Sequence, residues 1–353
     1  VATRAIGVDI GTTQVRAAEV EISGKGPGAG GRASLVKYAS AQLPAGVVGE
    51  GEVLDTGALS AALKGLWSSA KMSGKQVVVG FGNQRTVLRE LELPSMPLKD
   101  LRSSLPFQVS DLLPMPVDDA LLDFYPTAET EEQGVKQLRG ILVAANKNSV
   151  ASTVAAVEDA GLRPVGVDIP SLALVRSLVY GEAEQQVVGI VDVGAHTTEV
   201  VVVQNGMPRF IRVIPSGGGE ATTGIMAAMN MSMADAENLK YQNGINASGS
   251  PALEPAHEAA MQATRALVDG IRNTFVYYAG NNPGAPIDRV FIVGGGAHLP
   301  GFGQYLATAC RLPVGFGDAF GRLNVSSKVA AQINGQQTVG AVAVGLGMTE
   351  ATA

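Results

Sequence analysis

Ala5-Ile6-Gly7-Val8-Asp9-Ile10-Gly11-Thr12-Thr13 is the stretch on which the reading of the chain turns. The apolar run to Val8 predicts a strand, Ile10 to Thr13 a tight turn, and residues 14–22 a returning strand, so Asp9 stands at the bend of a hairpin. The same grammar recurs at Val187-Val188-Gly189-Ile190-Val191-Asp192-Val193-Gly194-Ala195-His196-Thr197, with residues 198–203 as the returning strand and Asp192 in register with Asp9. Each copy continues into a third strand, at 34–43 in the first and 208–214 in the second, where Asn205-Gly206 is the hairpin signal. Helical sequence follows: Asp55 or Thr56 caps a helix to about Lys71, and a second begins at Glu220. A strand at 76–80 closes the first copy. This is an internal duplication at domain scale, not a short solenoid period.

Between the copies, residues 83–164 have a different texture, with Pro94, Pro97, Pro106, Pro114, Pro116 and Pro126. Strands are expected at 85–93, 120–125 and 137–145, with a helix at 98–112 kinked at Pro106. A second helix, capped by Asn148 or Ser149, runs to Ala160 and stops at Gly161. The segment reads as an inserted α+β subdomain. Later, Ser232-x-x-Asp235 opens a helix through Asn243, a Gly/Ser/Pro stretch covers 244–255, and a long helix spans 256–279. A buried strand at 287–293 ends in Gly294-Gly295-Gly296.

At 353 residues the chain has length for about two domains, and 46% hydrophobic with 16% charged residues is a globular composition. A net charge of −6 argues against nucleic acid and anionic membrane surfaces as partners. Cys310 is the single cysteine and His196, His257 and His298 the three histidines, which excludes an intramolecular disulfide and multi-Cys zinc patterns. Asp9 comes too early for a signal peptide, so the cytosol is the expected compartment. The uncharged run at 329–349 is broken by three Gln and one Asn, and the apolar part that remains, 339–348, is half the ~20 residues a membrane span takes and reads as a buried helix without membrane insertion. Trp67 and Cys310 read as core. Gly26-x-Gly28-x-x-Gly31 fits a dinucleotide pattern, but Pro27 sits inside it and no helix follows, so a hairpin loop is expected.

A carboxylate at a hairpin bend, flanked by Gly and hydroxyl residues, suits a Mg-nucleotide. The turn N–H groups donate to phosphate oxygens while the acid holds the hydrated metal. Asp9 with Gly11, Thr12 and Thr13, and Asp192 with Gly194, His196, Thr197 and Thr198, supply two such bends. Gly294, Gly295 and Gly296 let the backbone approach a base or ribose without Cβ interference. Glu237 and Lys240 share a helical face, either to hold ribose hydroxyls or adenine, or as a surface ion pair. Asp168 either orients an attacking water or caps the helix expected at Ser171.

In combination and order, these elements resemble the actin, sugar kinase and heat-shock chaperone ATPase superfamily. Residues 9–13 match its phosphate-1 hairpin, 192–198 its phosphate-2 hairpin and 292–297 its adenosine motif. The insertion and Ala236-Glu237-Asn238-Leu239-Lys240 resemble the FtsA/PilM branch; Asp168-Ile169-Pro170-Ser171-Leu172-Ala173 and residues 98–116 are most similar to the PilM family of type IV pilus assembly proteins. The resemblance implies an α/β, actin-like (ribonuclease H-like) fold. Residues 1–82 and 165–185 form one half, 83–164 the inserted subdomain and 186–353 the second half with the adenosine elements.

It further implies ATP or ADP with Mg2+ in the cleft, with Asp9 and Asp192 on the metal through water. Gly11, Thr12, Thr13, Gly194, His196, Thr197, Gly218, Glu237, Lys240, Gly294, Gly295 and Gly296 would line the nucleotide. Turnover is at most a slow ATPase with Asp168 as the catalytic candidate. The implied partner is the short N-terminal cytoplasmic peptide of a PilN-like membrane protein, which would recruit the chain to the inner face of the cytoplasmic membrane. Other pilus proteins and a homo-oligomer are further implied partners. Leu91, Leu93, Phe107, Leu112 and Leu113 are the candidate pockets. Phe107-Gln108-Val109 departs from the family, which commonly carries an acid there, and the tail 347–353 lacks the basic amphipathic helix that ends FtsA-like chains. An FtsA-like division filament and a small-molecule or sugar kinase are the alternative functions.

Overall fold

The computed structural model describes residues 3–23, 32–132, 134–246 and 250–349. The glycine-rich loop expected at 24–31, part of the 244–255 stretch and the tail beyond Thr349 lie outside these residues.

Strands β1 (Thr3–Ile10), β2 (Gln14–Ser23) and β3 (Arg32–Gln42) form an antiparallel meander in which Val8, Val15, Ala17 and Leu35 are buried. A short ribbon, β4 (Val48–Gly49) with β5 (Glu52–Val53), leads to helix α1 (Thr56–Ala70), capped by Asp55 Oδ1 accepting from Ala58 N at 2.9 Å. Strand β6 (Gln76–Gly80) then pairs parallel to β1.

The inserted subdomain comprises β7 (Val87–Pro94), α2 (Leu98–Val109), β8 (Ala120–Glu132) and β9 (Val135–Asn146), its sheet ordered β7-β9-β8. Helix α2 contains Pro106 and passes into a 3-10 turn at Ser110–Leu112. Helix α3 (Lys147–Asp159) starts two or three residues earlier than the sequence indicates, because Asn146, not Asn148 or Ser149, places its side-chain oxygen on the Asn148 and Ser149 N–H groups. Strand β10 (Arg163–Asp168) rejoins the first sheet beside β6, and α4 (Pro170–Leu178) follows.

The second copy is β11 (Val187–Val193), β12 (Thr198–Gln204), β13 (Met207–Ile214), α5 (Gly218–Met229), α6 (Met233–Asn243), α7 (Glu254–Asn281), β14 (Arg289–Val293), α8 (Phe302–Cys310) and β15 (Val314–Phe316). Its sheet order is β13-β12-β11-β14-β15. Asn205 and Gly206, at φ 52° and 75°, make the two-residue hairpin.

The chain then crosses back. Strand β16 (Asn324–Val325) pairs with β3, completing a six-stranded sheet, β10-β6-β1-β2-β3-β16, and α9 (Ser327–Ala330) and α10 (Ala341–Gly347) follow. The expected second half, 186–353, therefore ends earlier in space than in sequence. Helix α10 is buried along its whole length in the core that α4 shares with both sheets. Small residues permit this: a Cβ on Gly345 would lie 1.9 Å from Ala173 O of α4, and one on Gly7 2.1 Å from Ala343 O. Among the described residues no helix is long and apolar enough to cross a membrane. Trp67 packs on the first-half core and donates Nε1–H to Gly74 O at 2.8 Å; Cys310 is half-buried at the edge of the second core rather than enclosed.

Candidate functional site

The two hairpin bends are closed by the same bond, Gly11 N–H to Gln14 O at 3.0 Å and Gly194 N–H to Thr197 O at 2.9 Å. The two-strand register makes Arg16 the cross-strand partner of Asp9 and Glu199 that of Asp192. Arg16 donates from Nη1 to Asp9 Oδ2 at 3.1 Å and from Nη2 to Gln14 Oε1 at 3.2 Å, while its Nε is buried without a partner. Burial pushes the Asp9 carboxyl up and Arg16 pulls against that. Asp192 is pushed up to about 7 by burial and then by the Asp9 charge, with Arg16 opposing, so the two bends face each other within electrostatic reach. Glu199 is likewise raised to about 7, first by burial; it accepts a hydrogen bond from Ser171 Oγ at the start of α4, which opposes the rise, and Asp192 and Asp9 add to it.

On the second half, the strand β13 leads into a glycine turn. Gly218 N–H and Gly219 N–H donate to Gly194 O and Ala195 O at 2.9 and 2.8 Å, which brings the start of α5 against the second bend. A Cβ on Gly218 would stand 3.1 Å from Gly296 Cα, and one on Gly294, at φ +84°, 2.3 Å from Asp192 Oδ1. His196 is exposed beside Gly219. Lys240 is 4% exposed, with Nζ donating to Glu237 Oε2 at 2.7 Å, Thr222 Oγ1 at 2.8 Å and Gly218 O at 3.1 Å. Thr222 Oγ1 in turn donates to Glu237. Glu237 and Lys240 are therefore not a surface pair, because a buried ammonium is held against the glycine turn.

Asp192, Gly194, His196, Gly218, Glu237, Lys240, Gly294 and Gly296 thus converge; Thr197 lies in the same bend and Gly295 opens the 3-10 turn Gly296–His298. Asp9, Gly11, Thr12 and Thr13 form the facing bend, with Thr13 exposed. Asp168 does not take the helix-cap role, since Ile169 holds the N-cap position of α4. Its Oδ1 accepts from Ile169 N at 2.8 Å, and its Oδ2 takes Arg176 and, at 3.4 Å, Thr349 Oγ1. Ile169 occupies the N-cap position of α4, so Asp168 is an ion-pair partner pinning the C-terminal segment, where Arg176 also holds Gly345 O at 2.8 Å. Arg16 and Glu199 were missed by sequence reasoning, although the symmetric pairing about each bend points to both.

A triphosphate with Mg2+ fits these residues. The unpartnered Arg16 Nε is a cation donor, and the glycine turns offer backbone without Cβ. Mg2+ keeps several of its waters and takes one or two carboxylates, a donor set that Asp9 and Asp192 on the facing bends could supply through water. Of the candidate pockets in the inserted subdomain, Leu93 is buried in its core and Leu91, Leu112 and Leu113 pack partly against that core, which leaves Phe107, 86% exposed, as the one presented outward.

Comparison with known proteins agrees with this architecture. A chain of a PilM–PilN type IV pilus biogenesis complex superposes with a TM-score of 0.85 at 25% identity, covering 98% of both chains. MreB5 of Spiroplasma citri bound to ADP (TM-score 0.55, 14% identity, 97% of this chain and 94% of that one) and the ethanolamine utilization protein EutJ of Carboxydothermus hydrogenoformans (0.55, 14%, 98% and 90%) share the actin-like fold. Cell division protein FtsA of Bacillus subtilis (strain 168) is 29% identical over 108 residues, 31% of this chain, and the chain spans about a quarter (24%) of that relative's length. The family model described as type IV pilus assembly protein PilM matches residues 7–351, and the chain belongs to that family.

Proposed function

We propose that the chain is a nucleotide-responsive adaptor of type IV pilus assembly, holding ATP or ADP with Mg2+ between the two hairpin bends. The observation that carries this reading is the convergence of the second bend, the Gly217–Gly219 turn, the Gly294–Gly296 loop and the buried Lys240 opposite Asp9 and Arg16. Arg16 and the turn amides would hold phosphate oxygens, Asp9 and Asp192 the hydrated Mg2+, and Glu237 with Lys240 the ribose or base. Mg2+, when bound, would supply charge neutralisation for the phosphates. Because the donors come from both halves, a full set forms only when the cleft is closed, which makes occupancy a conformational signal. The MreB5 bound to ADP, similar in fold, supports nucleotide as the ligand.

The PilM–PilN complex supports a PilN-like membrane protein as partner. Its short cytoplasmic peptide would dock by the inserted subdomain and bring the chain to the inner face of the membrane, with exposed Phe107 as one contact. Differential scanning fluorimetry tests the nucleotide reading: ATP-Mg at 100 times its Kd adds about 2.7 kcal/mol of stability. Asp9→Ala and Asp192→Ala should each reduce that shift, and undiminished shifts in both would refute the assignment. A peptide pulldown with and without ATP tests the partner; no binding in either condition sinks the adaptor reading.

A further inference from the structure

The inserted subdomain rests on the second half through a mostly apolar seam, where Leu88, Tyr125, Ile141 and Val143 belong to the same core as Val201, Val203 and Ile211. Its polar contacts are incompletely made. Glu90 Oε1 of β7 lies 3.9 Å from Arg209 Nη2 of β13 and 4.0 Å from Arg139 Nε, beyond hydrogen-bond reach of both, while Arg139 closes instead on Glu92. Arg209 is largely buried, and its Nε has no partner. Tyr278 of α7, 1% exposed, lies within electrostatic reach of Arg209 and Glu90, and its hydroxyl also has no partner. Buried donors are normally satisfied, so two orphans beside an open ion pair at one seam require a physical account.

We infer that Glu90, Arg209 and Tyr278 form a latch with a second, closed arrangement, and that occupancy of the nucleotide cleft selects between the two; this rests on the nucleotide reading above. A displacement of about 1 Å of β7 along β13 brings Glu90 within bonding distance of Arg209. The apolar seam permits such sliding, since none of its contacts is directional. The connection to the cleft is short and covalent. Strand β13 runs from Arg209 to Ile214 and on to Ser216, whose carbonyl accepts from Thr198 Oγ1 at 2.8 Å, and to the Gly217–Gly219 turn bonded to Gly194 and Ala195. Phosphate drawing that turn inward would move β13 under β7. The latch therefore carries cleft closure to the subdomain on which the partner peptide is proposed to dock.

Hydrogen exchange of the full chain, with and without ATP-Mg, is the test, with the thermal shift measured on the same samples. ATP-Mg should slow exchange of the β7 amides at least five-fold. Glu90→Gln and Arg209→Gln should each abolish that slowing while a thermal shift with ATP-Mg persists. Tyr278→Phe should reduce it while folding normally, since only an unpartnered hydroxyl is removed. A thermal shift with unchanged β7 exchange in the unmodified chain overturns the latch and leaves nucleotide binding standing, as does full slowing in Glu90→Gln, which would mean that the orphans are bridged by static water. Absence of any thermal shift removes both readings.

Discussion

The two hairpin bends share backbone geometry and differ in charge. Asp9 and Asp192 occupy equivalent positions, yet the residue opposite the first is a guanidinium and that opposite the second is a carboxyl. The first bend thus carries a cation bonded to its own acid, whereas the second places two acids, both raised to about 7, with Arg16 opposing the rise of Asp192 and Lys240 bonded to the adjoining glycine turn rather than to either acid. The two cradles are similar in backbone, and the different residue at one register position makes them complementary in charge. Under the proposed nucleotide reading, a hydrated Mg2+ would have most to neutralise at the second bend, and a phosphate most to gain at the first.

The largest expected effect comes from removing the cation of the first bend. Arg16→Gln leaves Asp9, whose side chain is 15% exposed, without its 3.1 Å partner. An unpaired buried charge costs about 3 kcal/mol, visible as a lower urea midpoint. Adding Asp9→Asn should restore most of that loss, because the double variant has no orphaned charge. If the single variant is as stable as the parent, the ion pair is not what distinguishes the two bends. Both variants should bind ATP-Mg more weakly, the double variant because it lacks the proposed phosphate and metal contacts of the first bend together.

Much of this contrast was readable before the structure, and the limits are instructive. The bends are local objects: alternating apolar strands around Asp-x-Gly turns fix their register within about fifteen residues, and Asp9 and Asp192 followed directly. The Arg16 and Glu199 pairings obey the same local rule, since antiparallel pairing about a known turn specifies every opposite residue. Three features depended on distant sequence. The return of β16 and α10 to the first half joins residues about 290 positions apart, and no periodicity announces it. Burial of Lys240 depends on Thr222 and Gly218 from a different helix, so its spacing with Glu237 alone could equally mean a surface pair. Asp168 had the right position for a helix cap, but Arg176 and Thr349 compete for the same oxygens once α4 and the C-terminal segment are packed.

An intermediate effect is expected where the second bend meets the base side of the cleft. Lys240→Met keeps the buried stem but removes an ammonium with three acceptors. The loss should be about 1 to 2 kcal/mol in a urea titration, limited because Thr222 still donates to Glu237. Nucleotide affinity should fall more than stability does. Equal affinity in this variant would confine recognition to the two bends and make the Lys240 cluster a purely structural support for α5.

The smallest effect is the most specific to the second bend, and it has a defined sign. Glu199 has an ordinary value near 4.5 and stands at about 7 in the folded chain, so between those values the folded state holds a proton that the unfolded state has released. Stability from this group therefore falls as pH rises from about 4.5 and levels off above about 7. Glu199→Gln removes the burdened charge and keeps an oxygen to accept from Ser171. Against the parent, the variant should melt about 2 °C higher at pH 8, equivalent to roughly 1 kcal/mol in a chain of this size, and at nearly the same temperature at pH 5. Asp192 still titrates in the same window, so the parental decline with pH is reduced in the variant without vanishing. A variant less stable at pH 8 than at pH 5, relative to the parent, would mean that Glu199 is ionised and stabilised in the fold, and the charge contrast between the two bends would be gone.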